Sequence, residues 1–364
     1  MTDDLKYMRR AVNLAKRGAG WVNPNPMVGA VLVRYDRIIG EGFHEFFGGS
    51  HAEVNAINGV PSDQVAGSTL YVTLEPCAHE GKTAPCVNLI IERKIAKVVI
   101  GMTDPNPLVD GKGIAFLRSA GIQVQVGLME QIVRQMNEVF VKYIRTGKPF
   151  VVLKTAMTLD GKIATVTNAS RWITGEKSRK MVHLLRQNLS AVMVGVDTVL
   201  FDDPLLNIRM KGTWKNPLKV IADTHGRIAM ENKVLTNDPQ LTIIATTALA
   251  DPQKLKQIER AGAQILICPL KDNRVDLGFV IHTLGKMGID SVMIEGGSTL
   301  AFSALKEGVV DKVISFIAPK ILGGASAPTA VGGVGIDKME NAINLTKLKF
   351  KKVGEDLMIE GWIR

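Results

Sequence analysis

Three side chains set far apart in the chain, His51, Cys77 and Cys86, are of the kinds that hold a transition metal through nitrogen and sulfur. If they share one ion, the fold must bring a helix start, a strand end and a second helix start to one point. His51 opens the helical stretch 52–58. Cys77 follows the β-rich run "TLYVTLE" and Pro76. Cys86 opens the helical stretch 87–94. A catalytic zinc takes three protein ligands and leaves a fourth position open, and three are on offer. A closed structural site would need a fourth ligand, for which His79 and Glu80 lie between the cysteines.

Glu53 stands two residues after His51, in the first turn of its helix. There it can reach the open position without being a ligand. The order H-x-E, then P-C and a second cysteine, is that of zinc deaminases, whose glutamate is the general acid/base. Zinc makes a water nucleophilic near neutral pH, and Glu53 would collect the water proton, protonate a ring nitrogen and, in a later transfer, the leaving amine. The usual pattern closes C-x-x-C. Here eight residues separate Cys77 from Cys86, and the loop carries His79, Lys82 and Thr83 past the metal, as contacts for a substrate larger than a bare base. Cys86, at a helix start, would be favoured as thiolate by the helix dipole. Cys268, in the apolar run "QILIC", reads as a core residue.

Around this centre the chain alternates strand and helix signals. "VGAVLV" and "RIIGEGF" read as a hairpin, "TLYVTLE" and "AKVVIGM" as parallel strands, and "GIQVQVG" as a period-two strand. Leu5, Met8, Val12 and Ala15 recur at helical spacing, with Thr2 as N-cap and Gly18 as stop. Gly147 and Pro149 punctuate the chain, and "FVVLKTAMTLDGKIA" then restarts with a strand. Further strands are expected at "AVMVGV", "LKVIAD", "LTIIATT", "QILIC", "SVMIEGG" and "KVISFIAP". Helices are expected at 176–187, 252–261, 276–287 and 299–306. With 364 residues, the chain divides into two α/β domains, residues 1–146 and 147–364.

The second half has no G-x-G-x-x-G after a strand. It has "SVMIEGGSTLAFSAL": strand, Gly296-Gly297, helix. Such a turn lets backbone approach a phosphate, and the helix N-terminus attracts anions. The net charge of +10 suits phosphorylated ligands or nucleic acid, but no block of five or six like charges favours the latter. The acidic N-terminus is no secretory signal, and no apolar run approaches the ~20 residues that span a bilayer. With three cysteines, the expectation is a cytoplasmic protein with no membrane partner.

"NPNPMVGAVLV", "GSHAEVNA", "TLEPCAHEGKTAPC" and "MTDPNPLVDGKG" together resemble the deaminase half of the bifunctional riboflavin-biosynthesis deaminase/reductases, the RibD family. That family's P-C-x-H-x-G-[KR]-T-P-P-C explains the long loop. Ala84 stands here where the first of the paired prolines is usual. "LKTAMTLDGKIA", "SRWITG", "VGVDTVLFDDPLLNIR", "IADTHGRI", "IEGGSTL" and "IAPKILGG" resemble the reductase half, in order.

The resemblance implies a cytidine-deaminase-like three-layer domain followed by a dihydrofolate-reductase-like α/β domain, with one Zn2+ and NADPH. It implies Asn23 and His79 as contacts of the deaminase substrate, although Asn23 also reads as a plain turn residue before Pro24. It implies Lys154, Ser170, Arg186, Leu206, Arg209 and Glu295 as contacts of the reductase substrate. For NADPH it implies Ala156, Trp172, Thr198, Asp202 and Thr224, with phosphates at Gly297, Ser298, Thr299, Leu300, Ala301, Phe302 and Ser303. Lys154, Arg186 and Arg209 would supply three donors to a ribose phosphate. The implied activity is deamination of 2,5-diamino-6-(5-phosphoribosylamino)pyrimidin-4(3H)-one to the uracil form. Reduction of the ribosyl group to ribityl follows. The expected partner is this phosphorylated pyrimidine ribotide, not nucleic acid, and the chain is expected to be a homo-oligomer. The alternatives are a zinc deaminase acting on nucleic acid with a C-terminal binding module, and a non-enzymatic zinc module.

Overall fold

The computed structural model describes residues 3–78, 85–107 and 109–364. The chain forms two compact units, Met1–Gly147 and Lys148–Arg364.

In the first unit, strands β1 (Gly29–Arg34) and β2 (Arg37–Phe43) form an antiparallel hairpin. Strands β3 (Thr69–Leu74), β4 (Lys97–Met102) and β5 (Gln123–Val126) extend the sheet in the order β2-β1-β3-β4-β5. β3, β4 and β5 run parallel. The central strands β1, β3 and β4 are buried at all but one end position each, because both faces are covered. Val31, Val33, Tyr71 and Val99 pack with Tyr7, Met8, Ala11 and Leu14 of helix Asp3–Ala15. The alternate residues Ala30, Leu32, Leu70, Val72, Val98 and Ile100 pack with helices Ala52–Ile57, Cys86–Glu92 and Lys112–Ser119. This is the three-layer arrangement expected. Helix Asp3–Ala15 carries the apolar stripe read from the sequence, and its expected N-cap, Thr2, lies outside the described residues.

The second unit is built on β6 (Phe150–Thr158), β7 (Ala191–Gly195), β8 (Leu218–Ala222), β9 (Thr242–Thr246) and β10 (Gln264–Ile267). A small hairpin follows, β11 (Leu270–Lys271) and β12 (Arg274–Val275). Then come β13 (Ser291–Glu295), β14 (Lys312–Ala318), β15 (Leu345–Val353) and β16 (Asp356–Ile363). Nine strands form one sheet in the order β10-β9-β8-β7-β13-β6-β14-β16-β15. All neighbours are parallel except in the last two pairings, β14 with β16 and β16 with β15.

β13 inserts between β6 and β7, so strands that leave the sheet in sequence return beside their origin. In open α/β sheets, ligands bind outside the carboxyl ends of strands at such a reversal. The C-terminal hairpin β15–β16 has no counterpart among the expected strands.

Candidate functional sites

The first site sits where β3 ends. His51 Nδ1 lies 3.2 Å from Cys86 Sγ and 3.5 Å from Cys77 Sγ. The three ligand atoms fall within 4.8 Å of one another. A nitrogen at about 2.0 Å and a sulfur at about 2.3 Å from one tetrahedral ion are about 3.5 Å apart, so this group has the size and donor chemistry of a zinc site. Cys86 is buried and is the first residue of its helix, as the sequence suggests. Its backbone N–H points at Cys77 Sγ, 3.4 Å away. The helix terminus therefore supports the Cys77 thiolate rather than that of Cys86. The hydrogen bond from the Cys86 thiol does most to pull Cys77 well below the usual thiol range, against the opposing effect of burial.

Glu53 lies in the first turn of helix Ala52–Ile57 and is only 3% exposed. Burial pushes its carboxyl up to about 7, where a group can both accept and release a proton near neutral pH. His79, Glu80, Lys82, Thr83 and Ala84 lie outside the described residues.

Asn23 sits in turn 22–25, which Asn25 N–H closes onto the Val22 carbonyl at 2.8 Å. From this turn a chain of polar contacts runs to the metal group. The Ser50 carbonyl can only accept, so the buried His44 donates its Nδ1–H there at 3.0 Å. Its Nε2 then accepts from Asn25 Nδ2 at 3.2 Å. The neutral His44 ring meets the His51 ring edge-on at 5.8 Å. Nothing in the sequence singles out His44 or Asn25.

Glu75 was also missed. In "LEPC" it reads as part of the cysteine motif, yet its buried carboxylate holds a loop. Oε1 accepts from Gly113 N–H at 2.8 Å and Ile114 N–H at 3.2 Å, and Oε2 from Asp104 N–H and Gly111 N–H, each at 3.1 Å. A Cβ on Gly113 would fall 2.1 Å from the Pro76 carbonyl, so only glycine lets the loop come this close. Because β3 and β4 are parallel, the loop leaves β4 at the edge where Cys77 leaves β3. Glu75→Gln replaces acceptors with an amide that faces backbone donors, at about 1–3 kcal/mol for each group left unpaired. The expected result is a deaminase rate lower by roughly ten- to a hundred-fold. Zinc content and reductase rate should be unchanged, and amide exchange should be faster across 104–114. An unaltered deaminase rate would show that the loop's position does not matter to the chemistry.

The second unit holds two adjoining cavities at the carboxyl ends of β6, β7, β8 and β13. The larger, about 650 Å³, is walled by the turns after β7, β8 and β13 and by the β11–β12 hairpin. The smaller, about 480 Å³, is lined by Lys154, Arg186, Leu206, Arg209 and Glu295, among others. Ser170, Thr198 and Asp202 line both and form their common wall. Thus all six residues expected at the reductase substrate gather in the smaller cavity.

Of those expected at NADPH, Thr198, Asp202, Thr224, Gly297, Ser298, Thr299, Leu300 and Ser303 line the larger cavity. Trp172 lines the smaller one, with the Arg179 guanidinium 4.5 Å over its ring. Ala156, Ala301 and Phe302 line neither. Ala301 packs into the core, and Phe302 lies against Gly333. Gly296 and Gly297 have φ of +69° and +80°, and a Cβ on Gly296 would crowd the Thr198 side chain at 3.3 Å. The turn is therefore shaped for close approach of a ligand, and helix Ser298–Lys306 starts directly behind it.

The three expected phosphate donors are not equivalent. Glu295 Oε1 takes a hydrogen bond from Arg186 Nε at 2.6 Å, and Oε2 one from Lys154 Nζ at 3.3 Å. Burial alone would push the Glu295 carboxyl up, but Arg186 and Lys154 outweigh it and hold it at about 2. Two of the three cations thus share one carboxylate, which fixes both in place and offsets one of their two charges. Arg209 donates to the neutral Asn207 Oδ1 at 2.9 Å and has no carboxylate partner among the described residues. It is the guanidinium left for an anion. Beside these cations His183 stays neutral: burial, then Arg186 and Arg209, push it down to about 4.

Folds and sites together define a zinc-dependent deaminase unit joined to a reductase unit that binds a dinucleotide. The cytidine and deoxycytidylate deaminase zinc-binding region matches residues 1–102, and the RibD C-terminal domain matches residues 149–359. Riboflavin biosynthesis protein RibD of Actinobacillus pleuropneumoniae is 46% identical over 98% of this chain and 94% of its own length. That of Aquifex aeolicus is 43% identical, over 98% and 97%. Among solved structures, Acinetobacter baumannii RibD superposes with a TM-score of 0.89 at 36% identity, covering 100% of this chain and 99% of its own. The Thermotoga maritima diaminohydroxyphosphoribosylaminopyrimidine deaminase/5-amino-6-(5-phosphoribosylamino)uracil reductase gives 0.86 at 38%, with the same coverage. The chain belongs to the RibD family of bifunctional deaminase/reductases of riboflavin biosynthesis, and its cofactors are zinc and NADPH.

Proposed function

We propose that the two units divide the two steps, residues 1–146 deaminating and residues 147–364 reducing. The first would convert 2,5-diamino-6-(5-phosphoribosylamino)pyrimidin-4(3H)-one to 5-amino-6-(5-phosphoribosylamino)uracil and ammonia. The second would reduce the ribosyl group of that product to ribityl. One observation carries the reading: three metal-type ligands converge beside a buried glutamate in one unit, while two cavities share a wall in the other.

In the deaminase, His51, Cys77 and Cys86 hold zinc, which when bound supplies the Lewis acidity that makes water a nucleophile near neutral pH. Glu53 takes a proton from the attacking water. It gives that proton to the ring nitrogen, then carries the second proton of the water, from the hydroxyl now on the ring carbon, to the leaving amine. Asn23 and His79 hold the pyrimidine.

In the reductase, NADPH supplies the hydride when it is bound in the larger cleft. The Gly296-Gly297 turn and residues 298–303 receive its phosphates, and Thr198, Asp202 and Thr224 its riboses and nicotinamide. Glu295 fixes Lys154 and Arg186 in the floor of the smaller cavity, and Arg209 takes the substrate phosphate as a charge-assisted pair. The common wall of Ser170, Thr198 and Asp202 lets the reduced and oxidised carbons meet.

Among the described residues no helix is long and apolar enough to cross a membrane. Edge strand β15 exposes Leu348 and Phe350, which suits association of identical chains. Incubation with the diaminopyrimidine ribotide tests the reading. Ammonia should appear without NADPH, and the ribityl product only with it. Appearance of the ribityl product without NADPH, or no ammonia from the zinc-loaded protein, would overturn it.

A further inference from the structure

The C-terminal hairpin β15–β16 reaches the reductase site through a buried side chain. Asp356, the first residue of β16, is 3% exposed. Its Oδ2 accepts from Gly175 N–H at 2.8 Å and from the Ser178 hydroxyl at 2.5 Å, groups 181 and 178 positions earlier in the chain. Both donors belong to the N-terminus of helix Glu176–Asn188. Among the described residues no cation pairs with this carboxylate, so its charge faces the helix terminus alone.

The helix has no cap of its own. Gly175 holds the cap position and has no side chain to accept from the first N–H groups. Where a local Ser, Thr, Asp or Asn would close the terminus, the acceptor comes instead from the sheet. The hairpin turn is seated on the same helix: Gly354 takes a φ of +68°, and a Cβ there would fall 3.3 Å from the Lys177 side chain. The far end is fixed too. Ser190 Oγ donates to the buried Asp290 at 2.6 Å and Ser190 N–H to Ser291 Oγ at 2.9 Å, which ties the end of the helix to the start of β13.

Two guanidinium groups ride on this helix. Arg179 lies 4.5 Å over the Trp172 ring and donates to the Thr174 carbonyl at 2.7 Å. Arg186 donates to Glu295 at 2.6 Å and to the Asn207 carbonyl at 3.0 Å. The two are seven residues apart in sequence, about 10.5 Å along the axis and on nearly the same face. Trp172, Arg186 and Glu295 all line the smaller cavity. An axial slip of the helix would therefore disturb both contacts at once. The stretch that carries Ser170 and Trp172 enters the helix at the N–H that Asp356 holds.

We propose that Asp356 is a positioning residue of the reductase: from the C-terminal hairpin, its carboxylate sets the axial position of helix Glu176–Asn188, and with it the placement of Trp172 and Arg186 in the smaller cavity. The proposal rests on the reading of that cavity as the reductase substrate site. Asp356 touches no reacting group and acts through the helix. The tie does more than cap. It refers the helix to the sheet in which β6 and β13 carry Lys154 and Glu295, so cations from helix and strand meet in a fixed geometry. A misplacement of the order of 1 Å can cost about a hundred-fold in rate.

Steady-state reduction of the uracil ribotide by the full chain, well below its melting temperature, tests this. Asp356→Ala should lower the reductase kcat/KM by about ten- to a hundred-fold, with ammonia release in the same preparation unchanged. Ser178→Ala removes one donor of the tie from a small side chain and should lower kcat/KM in the same direction by less. The double variant should be no worse than Asp356→Ala, because both changes act on one contact. Adding Gly175→Asp to Asp356→Ala returns a carboxylate to the helix end without the link to β16. It should restore the melting temperature and leave kcat/KM low. Full recovery of kcat/KM there would make Asp356 a cap for stability only and overturn the proposal, as would wild-type kcat/KM in folded Asp356→Ala. If Asp356→Ala does not fold, Ser178→Ala decides, and an unchanged kcat/KM in that variant overturns the proposal. Arg186→Ala separates all this from the cavity assignment. If it loses the reductase rate while Asp356→Ala keeps it, the cavity assignment stands and the positioning role falls. If Arg186→Ala reduces the uracil ribotide as the wild type does, the cavity assignment falls and the proposal with it.

Discussion

Glu53→Gln should lose about 10²–10⁴ of the deaminase rate while keeping its zinc and its fold. The substitution changes one atom of a side chain that is 3% exposed, so packing is retained. The three ligand atoms belong to His51, Cys77 and Cys86, so metal affinity does not depend on Glu53. What is lost is the proton carrier, because an amide cannot take a proton from water and return it to a ring nitrogen. The reductase rate with the uracil ribotide should not change, since its residues all belong to the second unit. Zinc content, ammonia release and NADPH oxidation, measured on one preparation, give the three readings needed. A zinc-loaded Glu53→Gln protein that deaminates at the full rate would remove Glu53 from the mechanism.

The strands that carry both sites were legible because their signal is local. β3, β4, β7 and β13 are short apolar runs bounded by turn residues, and burial on both faces makes such runs unmistakable. The hairpin β15–β16 was not legible for the opposite reason. Most of β15 is exposed: Lys347, Lys349 and Lys351 alternate with Leu348 and Phe350, but neither face of this stretch is buried. It is a strand because β16 offers a partner edge, which is a tertiary fact.

The metal group was legible because few residue types bind zinc and the chain has only three cysteines. Its electrostatics were less so. Only the geometry shows that the helix N–H of Cys86 serves Cys77. Long-range polar partners leave no pattern at all. The donors that occupy Glu75 lie 29 to 39 positions away and are backbone groups, which every residue has. In the same way Lys154, Arg186 and Arg209 look alike in sequence. What separates them is the reach of Glu295 to the first two.

The central claim is that the two chemistries are housed separately, and metal removal tests it most directly. The proposed zinc ligands lie in the first unit, and the cavities proposed for hydride transfer lie in the second. Hydride transfer needs the nicotinamide and the ribose positioned and the phosphate charge met, which side chains provide without a Lewis acid. Zinc can also hold its own unit together, because binding free energy is partly folding free energy, so the stripped protein must be checked for a folded second unit. The measurement is NADPH oxidation and ammonia release by chelator-stripped full chain, supplied in turn with the uracil ribotide and the diaminopyrimidine ribotide. The account predicts no ammonia from the diaminopyrimidine ribotide and undiminished NADPH oxidation with the uracil ribotide. Loss of NADPH oxidation with the uracil ribotide, in protein whose second unit is folded, would contradict it.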